Sequence, residues 1–344
     1  MKRIVLLVLT ILLVLGMSAC SETKPSIDEQ ACANITAGGS KVVNIGDNIY
    51  MILKDKIVKF DMDQAGENSS VDEFAFKTGE YTDICLFNGK IYAIETVSEN
   101  QNEIVAFEPD SGDEKIIKAY KGSESIYFKT IIGDKLYIYV DGSVYSLDSN
   151  DEIKDTGFRD TLFITEDGAY TSKSVVDNTE KGLCFIPNNK TESSVVEYPE
   201  LKENNVQIKF KYRKRIYLTV DGKPAYIEHN GDTSVTYING ASTLPDLDKA
   251  IYVGLNYIDS PDKTLIYAVG LYNSTENASG TYNSNGEFYS NIYSVDVESG
   301  KATLLYTKTH LLVPLCFPSV IGNDVFAGGI GDSTDLITFE DHAK

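Results

Sequence analysis

Few groups in this 344-residue chain could carry acid, base or metal chemistry, and they are scattered. The three histidines, His229, His310 and His342, fall near turns in three different stretches. A metal site built on them would need carboxylate help, so surface histidines are expected. Asp61-x-Asp63 with Gly66 and Glu67 has the start of a calcium loop, but the later ligand spacing fails, and Asp148 to Asp151 fails in the same way. There is no Gly-x-Ser-x-Gly elbow, phosphate loop or zinc-protease motif. No catalytic residue, metal or cofactor is therefore assigned. Paired carboxylates for glycan hydrolysis or lysis stay open, because such pairs form in space and the chain offers 51 acids. Recognition chemistry is better marked. A stretch of about two dozen residues holds Tyr272, Asn273, Asn277, Tyr282, Asn283, Asn285, Phe288, Tyr289 and Asn291, joining rigid aromatic area to small polar groups. Tyr272, Asn273, Tyr282, Phe288 and Tyr289 are the expected ligand contacts.

That stretch interrupts a repeat. A hydrophobic-aromatic pair recurs at Ile49-Tyr50, Ile91-Tyr92, Leu136-Tyr137, Ala169-Tyr170, Ile216-Tyr217, Ile266-Tyr267 and Val325-Phe326, with the aromatics 42, 45, 33, 47, 50 and 59 residues apart. A short apolar strand and a Gly, Asn or Asp turn usually precede each pair, as in Asn88-Gly89, and such turns mark hairpins. An alternating strand follows, often closing on an acid: Ile57 to Asp61, Ile104 to Glu108, Val144 to Asp148, Ile292 to Asp296. A polar turn and a further strand complete four strands per unit. The spacing is that of propeller blades. It predicts an all-β fold, a seven-bladed β-propeller of four-stranded antiparallel blades, over residues 38–344. Tyr50, Tyr92, Tyr137 and Tyr217 should be largely buried between blades. The longest second-to-third connection lies in unit six, with shorter expansions at Glu95 to Glu103 and Ser172 to Lys181, and these should share one face of the disc.

This order of strand, turn, hydrophobic-Tyr and hydrophobic-x-hydrophobic-Asp resembles the quinoprotein-like (PQQ/YVTN-type) propeller repeat and the propeller lipoproteins of bacteria. The resemblance implies the fold. It does not extend to quinone-dependent dehydrogenase activity, because quinoprotein repeats place a Trp after the Gly turn to lock adjacent blades and this chain has no Trp. Unit seven supplies three strands before the chain ends, so Ile27 to Thr36 is expected to add the missing outer strand and spare the ring a bare edge.

Lys2-Arg3, the apolar run Ile4 to Leu15 and Ser18-Ala19-Cys20 resemble a bacterial lipoprotein signal peptide. Residues 1–19 would be removed, Cys20 lipidated, and residues 20–37 would form a tether and the closing strand. Without Lys2 and Arg3, 29 of the 31 basic residues remain against 51 acidic ones, a formal balance of −22. Nucleic acid is excluded as a partner, since phosphate binding needs a concentrated basic surface. The one basic run, Lys209, Lys211, Arg213, Lys214 and Arg215, reads as the solvated side of a hairpin or as a patch for an anionic polymer or the membrane surface. Cys32, Cys85, Cys184 and Cys316 match no zinc or CxxC spacing, and Cys85 and Cys316 sit in apolar runs that suit buried thiols. The function expected is that of a lipid-anchored, extracytoplasmic module on the cell membrane, binding a cell-envelope protein, peptide or glycan. The alternative is a carboxylate-dependent glycan hydrolase or lyase with its site at the channel mouth.

Overall fold

A computed structural model describes residues 29–35, 40–53, 55–61, 75–122, 125–172, 181–188, 195–229, 231–238, 244–258, 264–273, 287–311, 315–322, 324–329 and 334–337. The alternating segments pair as antiparallel sheets arranged as a β-propeller. Blade one holds β1 (Val42–Ile45), β2 (Asn48–Leu53), β3 (Lys56–Asp61) and β4 (Ala75–Thr78). Blade two holds β5 (Tyr81–Phe87), β6 (Lys90–Ser98), β7 (Gln101–Phe107) and β8 (Glu114–Lys121); blade three holds β9 (Ile126–Ile132), β10 (Lys135–Val140), β11 (Ser143–Asp148) and β12 (Ile153–Arg159). Blade four holds β13 (Thr161–Thr165), β14 (Gly168–Thr171), β15 (Cys184–Pro187) and β16 (Val196–Glu197). Blade five holds β17 (Val206–Tyr212), β18 (Arg215–Val220), β19 (Lys223–Glu228) and β20 (Thr236–Tyr237). Blade six holds β21 (Tyr252–Ile258), β22 (Thr264–Asn273), β23 (Glu287–Asp296) and β24 (Ala302–Leu311). A further sheet has three strands, β25 (Leu315–Ile321), β26 (Asp324–Gly329) and β27 (Thr334–Ile337). The first strand of each sheet neighbours the first strand of the next, and β25 returns to β1.

The expectation of seven four-stranded blades is thus corrected. Among the described residues six blades have four strands, and the sheet that follows them has three. Nor does the segment before β1 add an outer strand. Residues Glu29–Asn34 form a six-residue helix, α1, that packs on β9, β17, β21 and β25, all first strands, and so occupies the central channel. The reason is hydrogen bonding. First strands turn an unpaired edge toward the channel, and a buried edge must find partners. The Asn34 amide donates to Val320 O and accepts from Val320 N, each at 2.8 Å, while Asn256 Nδ2 donates to Asn34 Oδ1 at 2.8 Å.

Between blades, the pair residues interlock. Tyr50 packs with Ile91 of blade two, Tyr92 with Leu136 of blade three, Tyr170 with Ile216 of blade five, and Phe326 with Ile49 of blade one. Tyr50, Tyr92 and Tyr217 are buried as expected, but Tyr137 is only half-buried. Its neighbour in blade four is Ala169, where the other sheets offer Ile, Leu or Val, so the apolar wall over the ring is short.

Unit six is also one residue out of the expected alignment. In blade one the pair follows Asn48, which lies opposite Ile45; in blade six the residue opposite Ile258 is Thr264. The structural pair is therefore Leu265-Ile266. Leu265 packs beside Tyr217 of blade five, and Ile266 packs beside Val325 of the sheet that follows. A shift of one moves every side chain to the other face of a strand, which sends Tyr267 back toward blade five.

Candidate functional site

The two faces of the disc differ. One, the turn face, carries the hairpin turns between first and second strands; the other carries the second-to-third connections. The expected recognition segment is on the second face, where β22 and β23 pair over ten residues each, from Thr264↔Asp296 to Asn273↔Glu287. Alternation divides its aromatics. Tyr272 and Phe288 are cross-strand partners with ring centroids 4.9 Å apart, and Phe288 packs against the cluster shared with the three-stranded sheet. Tyr289 pairs with Leu271 and packs against the opposite cluster, beside Tyr293. So the hairpin brings Tyr272 and Phe288 together and puts Tyr289 on its reverse side. Asn273 ends β22, while Tyr282 lies outside the described residues.

The reverse side is anchored by a polar chain. The Tyr293 hydroxyl donates to Asp246 Oδ2 at 2.6 Å, Asn291 Nδ2 donates to the same oxygen at 2.8 Å, and Thr307 Oγ1 donates to Asn291 Oδ1 at 2.9 Å. Asp246 stands on the crossing from blade five to blade six, so these bonds tie the hairpin's root to its neighbour. Burial, then the bond to the Asp246 carboxylate, pushes the Tyr293 hydroxyl well above its usual range.

Inside the ring, buried polar groups bind the first strands to one another. Asp83 of β5 accepts from the backbone of Ser40 at 2.7 Å, Ile84 at 2.9 Å and Phe128 at 2.7 Å, joining three blades. Burial pushes its carboxyl up to about 7, against the pull of the Phe128 amide, Lys41 and the other two amides. Lys41 Nζ donates to Thr82 O, and Lys129 Nζ to Thr161 O at 2.5 Å and Leu162 O at 3.1 Å. Burial drives Lys129 down to about 8. Thr82 and Leu162 each fall where the register of the first two strands slips, so a lysine of one blade caps carbonyls at the next blade's bulge.

On the turn face, α1 meets the channel mouth. A cavity of about 170 Å³ there is lined by Cys32 of α1, Gly133 of blade three, Thr165 and Glu166 of blade four, and Lys211 and Arg213 of blade five. Lys211 Nζ holds Glu166 Oε2 at 2.8 Å. Burial would raise the Glu166 carboxyl, but the Lys211 hydrogen bond and charge outweigh it and hold the group low. Beside this pair, His229 is half-buried rather than at the surface. Its Nδ1 lies 2.8 Å from the Tyr170 hydroxyl and its Nε2 3.4 Å from Asp167. Burial first, and Lys211 second, keep the imidazole below its usual pKa.

Among the described residues several candidate acid groups are already engaged. The carboxylate lining the channel mouth, Glu166, is neutralised by Lys211. Glu95 and Glu103 do face each other, directly across β6 and β7, but they lie on the blade-two face toward blade one. Burial and the charges of Glu114 and Glu103 push the Glu95 carboxyl up. Asp148 caps the amides of Asn150 and Glu152, and Asp151 is taken by Tyr92 and Lys115, which leaves that acidic turn internally satisfied. Among the described residues no group of three or more His, Cys, Asp or Glu is placed to hold a metal ion. Cys85 and Cys184 are buried; Cys20, His342 and the loop Asp63 to Glu67 lie outside the described residues. No described helix is long and apolar enough to cross a membrane.

No family model matches the chain, and no curated protein matches it. Solved structures do. One is a puromycin-hydrolysing peptidase of Mycobacterium tuberculosis, at 11% identity and a TM-score of 0.41 over 67% of this chain. The chain spans 42% of that peptidase's length. The computationally designed Ika8 protein matches at 9% identity and a TM-score of 0.45, covering 88% of this chain and 98% of Ika8. A Listeria monocytogenes protein matches at 8% identity and a TM-score of 0.45, covering 88% of this chain and 93% of its own. At such identities none of these likenesses carries over an activity.

Proposed function

We propose that this β-propeller is a membrane-anchored, extracytoplasmic lipoprotein of quinoprotein-like repeat that works as a non-catalytic binding module for a cell-envelope protein, peptide or glycan. One observation carries the reading. Cys32 of α1 lies at the turn face, beside Gly133 and Glu166, and the chain has reached the opposite end of the channel by Ser40, which bonds Asp83 near the start of β5. An acyl anchor at Cys20, twelve residues before Cys32, would hold the turn face toward the lipid. The β22–β23 hairpin then points away from the membrane, where a partner can meet Tyr272 and Phe288.

Two variants test this. Cys20→Ala should leave unprocessed chain and move it out of the membrane fraction; unchanged processing and retention would end the lipoprotein reading. Replacing residues 274–286 with a short Asn-Gly turn should keep the fold, because β22 and β23 remain paired, and should abolish capture of an envelope partner by the anchored protein. Capture at undiminished affinity would move the binding site elsewhere.

A further inference from the structure

Three repeat tyrosines reach with their hydroxyls to the outer turn of the next blade, and what they meet there differs in kind. Tyr50 donates to Pro109 O at 3.1 Å and Tyr92 to Asp151 Oδ1 at 2.6 Å, while the Tyr170 hydroxyl lies 2.8 Å from His229 Nδ1. Each partner stands 59 residues beyond its tyrosine, so His229 fills the place that a carbonyl and a carboxylate fill at the other two seams. The Pro109 carbonyl does not titrate. Burial would raise the Asp151 carboxyl, but the bonds from Lys115 and Tyr92 outweigh it and hold the group low. An imidazole nitrogen accepts a hydrogen bond only while it carries no proton, and histidine is the side chain whose charge ordinarily changes between pH 5 and 8.

The packing around His229 disfavours a charged ring. Its side chain is 12% exposed, and its ring centroid lies 5.9 Å from that of Tyr170 and 5.5 Å from that of Phe185. Among the described residues Nε2 is buried without a hydrogen bond, with Asp167 Oδ2 3.4 Å off. The other described group bonded to the Tyr170 hydroxyl is Tyr198 Oη, at 3.5 Å, well beyond the usual length for two hydroxyls. A proton on Nδ1 therefore leaves Tyr170 without a good acceptor. We propose that His229 is an acid-released latch between blades four and five: its neutral Nδ1 holds the Tyr170 hydroxyl, and protonation undoes that bond and loosens the seam. The neighbouring charges set the sign. Burial first, and Lys211 of β17 second, disfavour the imidazolium and outweigh the pull of Asp167 and Glu166 in the β13–β14 turn, so the proton binds better once the seam has opened. The latch is thus fully closed above the ordinary histidine value of 6.5 and is released as pH falls below it. It depends neither on the β22–β23 hairpin nor on a membrane anchor.

The test is hydrogen exchange of the full chain in detergent, read by mass spectrometry at about pH 7.5 and about pH 5 and corrected for the intrinsic rate at each. Protection of β14, which carries Tyr170, and of β19, which leads into His229, should fall at least about threefold at the lower pH. Strands β2 and β7, whose lock is Pro109 O, should show no such fall. His229→Gln keeps an acceptor at that place and cannot titrate, so its β14 and β19 should hold their protection at both pH values. Tyr170→Phe removes the donor and should exchange in those strands at least about threefold faster than the unaltered chain at the higher pH. No fall in the unaltered chain would overturn the proposal without any variant having to fold. An equal fall in His229→Gln, or unchanged exchange in Tyr170→Phe, would overturn it as well.

Discussion

The Tyr92 hydroxyl of blade two donates to Asp151 Oδ1 in the outer turn of blade three at 2.6 Å. Tyr50 makes the same reach to Pro109 O at 3.1 Å, and Tyr170 to His229 Nδ1 at 2.8 Å, each pair 59 residues apart in sequence. The repeat tyrosine therefore joins blades twice, by its ring in the core and by its hydroxyl at the next blade's third-to-fourth turn. That is how a propeller without tryptophan locks its blades. Tyr92→Phe keeps the ring and should cost about 1.5 to 3 kcal/mol, the range for a hydrogen bond to a charged group, whereas Tyr92→Ala, which loses the ring as well, should cost more, about 3 to 5 kcal/mol. Urea unfolding of both variants checks the ordering; equal losses would mean that the hydroxyl contributes nothing.

Tyr267 should behave in the opposite way. It is fully buried, and among the described residues its hydroxyl has no hydrogen-bond partner. A buried unsatisfied hydroxyl costs about 1 to 3 kcal/mol, so Tyr267→Phe is expected to stabilise the fold by about 1 kcal/mol. A lower urea midpoint in that variant would show that the hydroxyl is satisfied.

Asp83 should give the fold a pH dependence. Its carboxyl titrates near 7 when folded and near 3.8 when not. A raised folded value means that the contribution is full below the unfolded value and is lost as pH rises through 7. At about 1.36 kcal/mol per unit the loss between the two values is a little over ~4 kcal/mol. Unfolding measured at pH 5 and pH 8 should show a smaller difference for Asp83→Asn than for the unaltered chain. Identical differences would exclude Asp83 as the group responsible.

Asn34 seals the channel. Asn34→Ala leaves the Val320 backbone and the Asn256 amide short of partners and should cost about 3 kcal/mol, since each unmet buried group is worth about 1 to 3 kcal/mol. Release of α1 should also speed alkylation of Cys32, by mass spectrometry, well before global unfolding. A Cys32 rate unchanged from that of the parent chain would mean that α1 is held by its apolar contacts alone.

The blades were legible because the period-two pattern and the Asn-Gly and Gly-Asp turns act locally: Asn88-Gly89 places Ile91-Tyr92 without help from the rest of the chain. Where the turn lengthens, between Ile258 and Thr264, that local ruler fails, and the repeat pair moves from Ile266-Tyr267 to Leu265-Ile266. The helix α1 was not legible. Six residues are too few to show a helical period, and what fixes them is the unpaired edge of strands far along the chain. Asp83 and Lys129 looked like ordinary strand charges for the same reason, as their partners are the backbone of neighbouring blades. At the candidate recognition hairpin, residue types pointed to Tyr272, Phe288 and Tyr289 together, but only the pairing shows that two of them share a side.

The bond between Asn34 and Val320 spans 286 residues. Contacts of such separation form late, because the loop they close must first be ordered. The helix α1 is thus expected to find its place last, after β25 has come round to β1. Until then the channel is open and its strand edges are bare. Insertion of α1 is then the step that ends assembly.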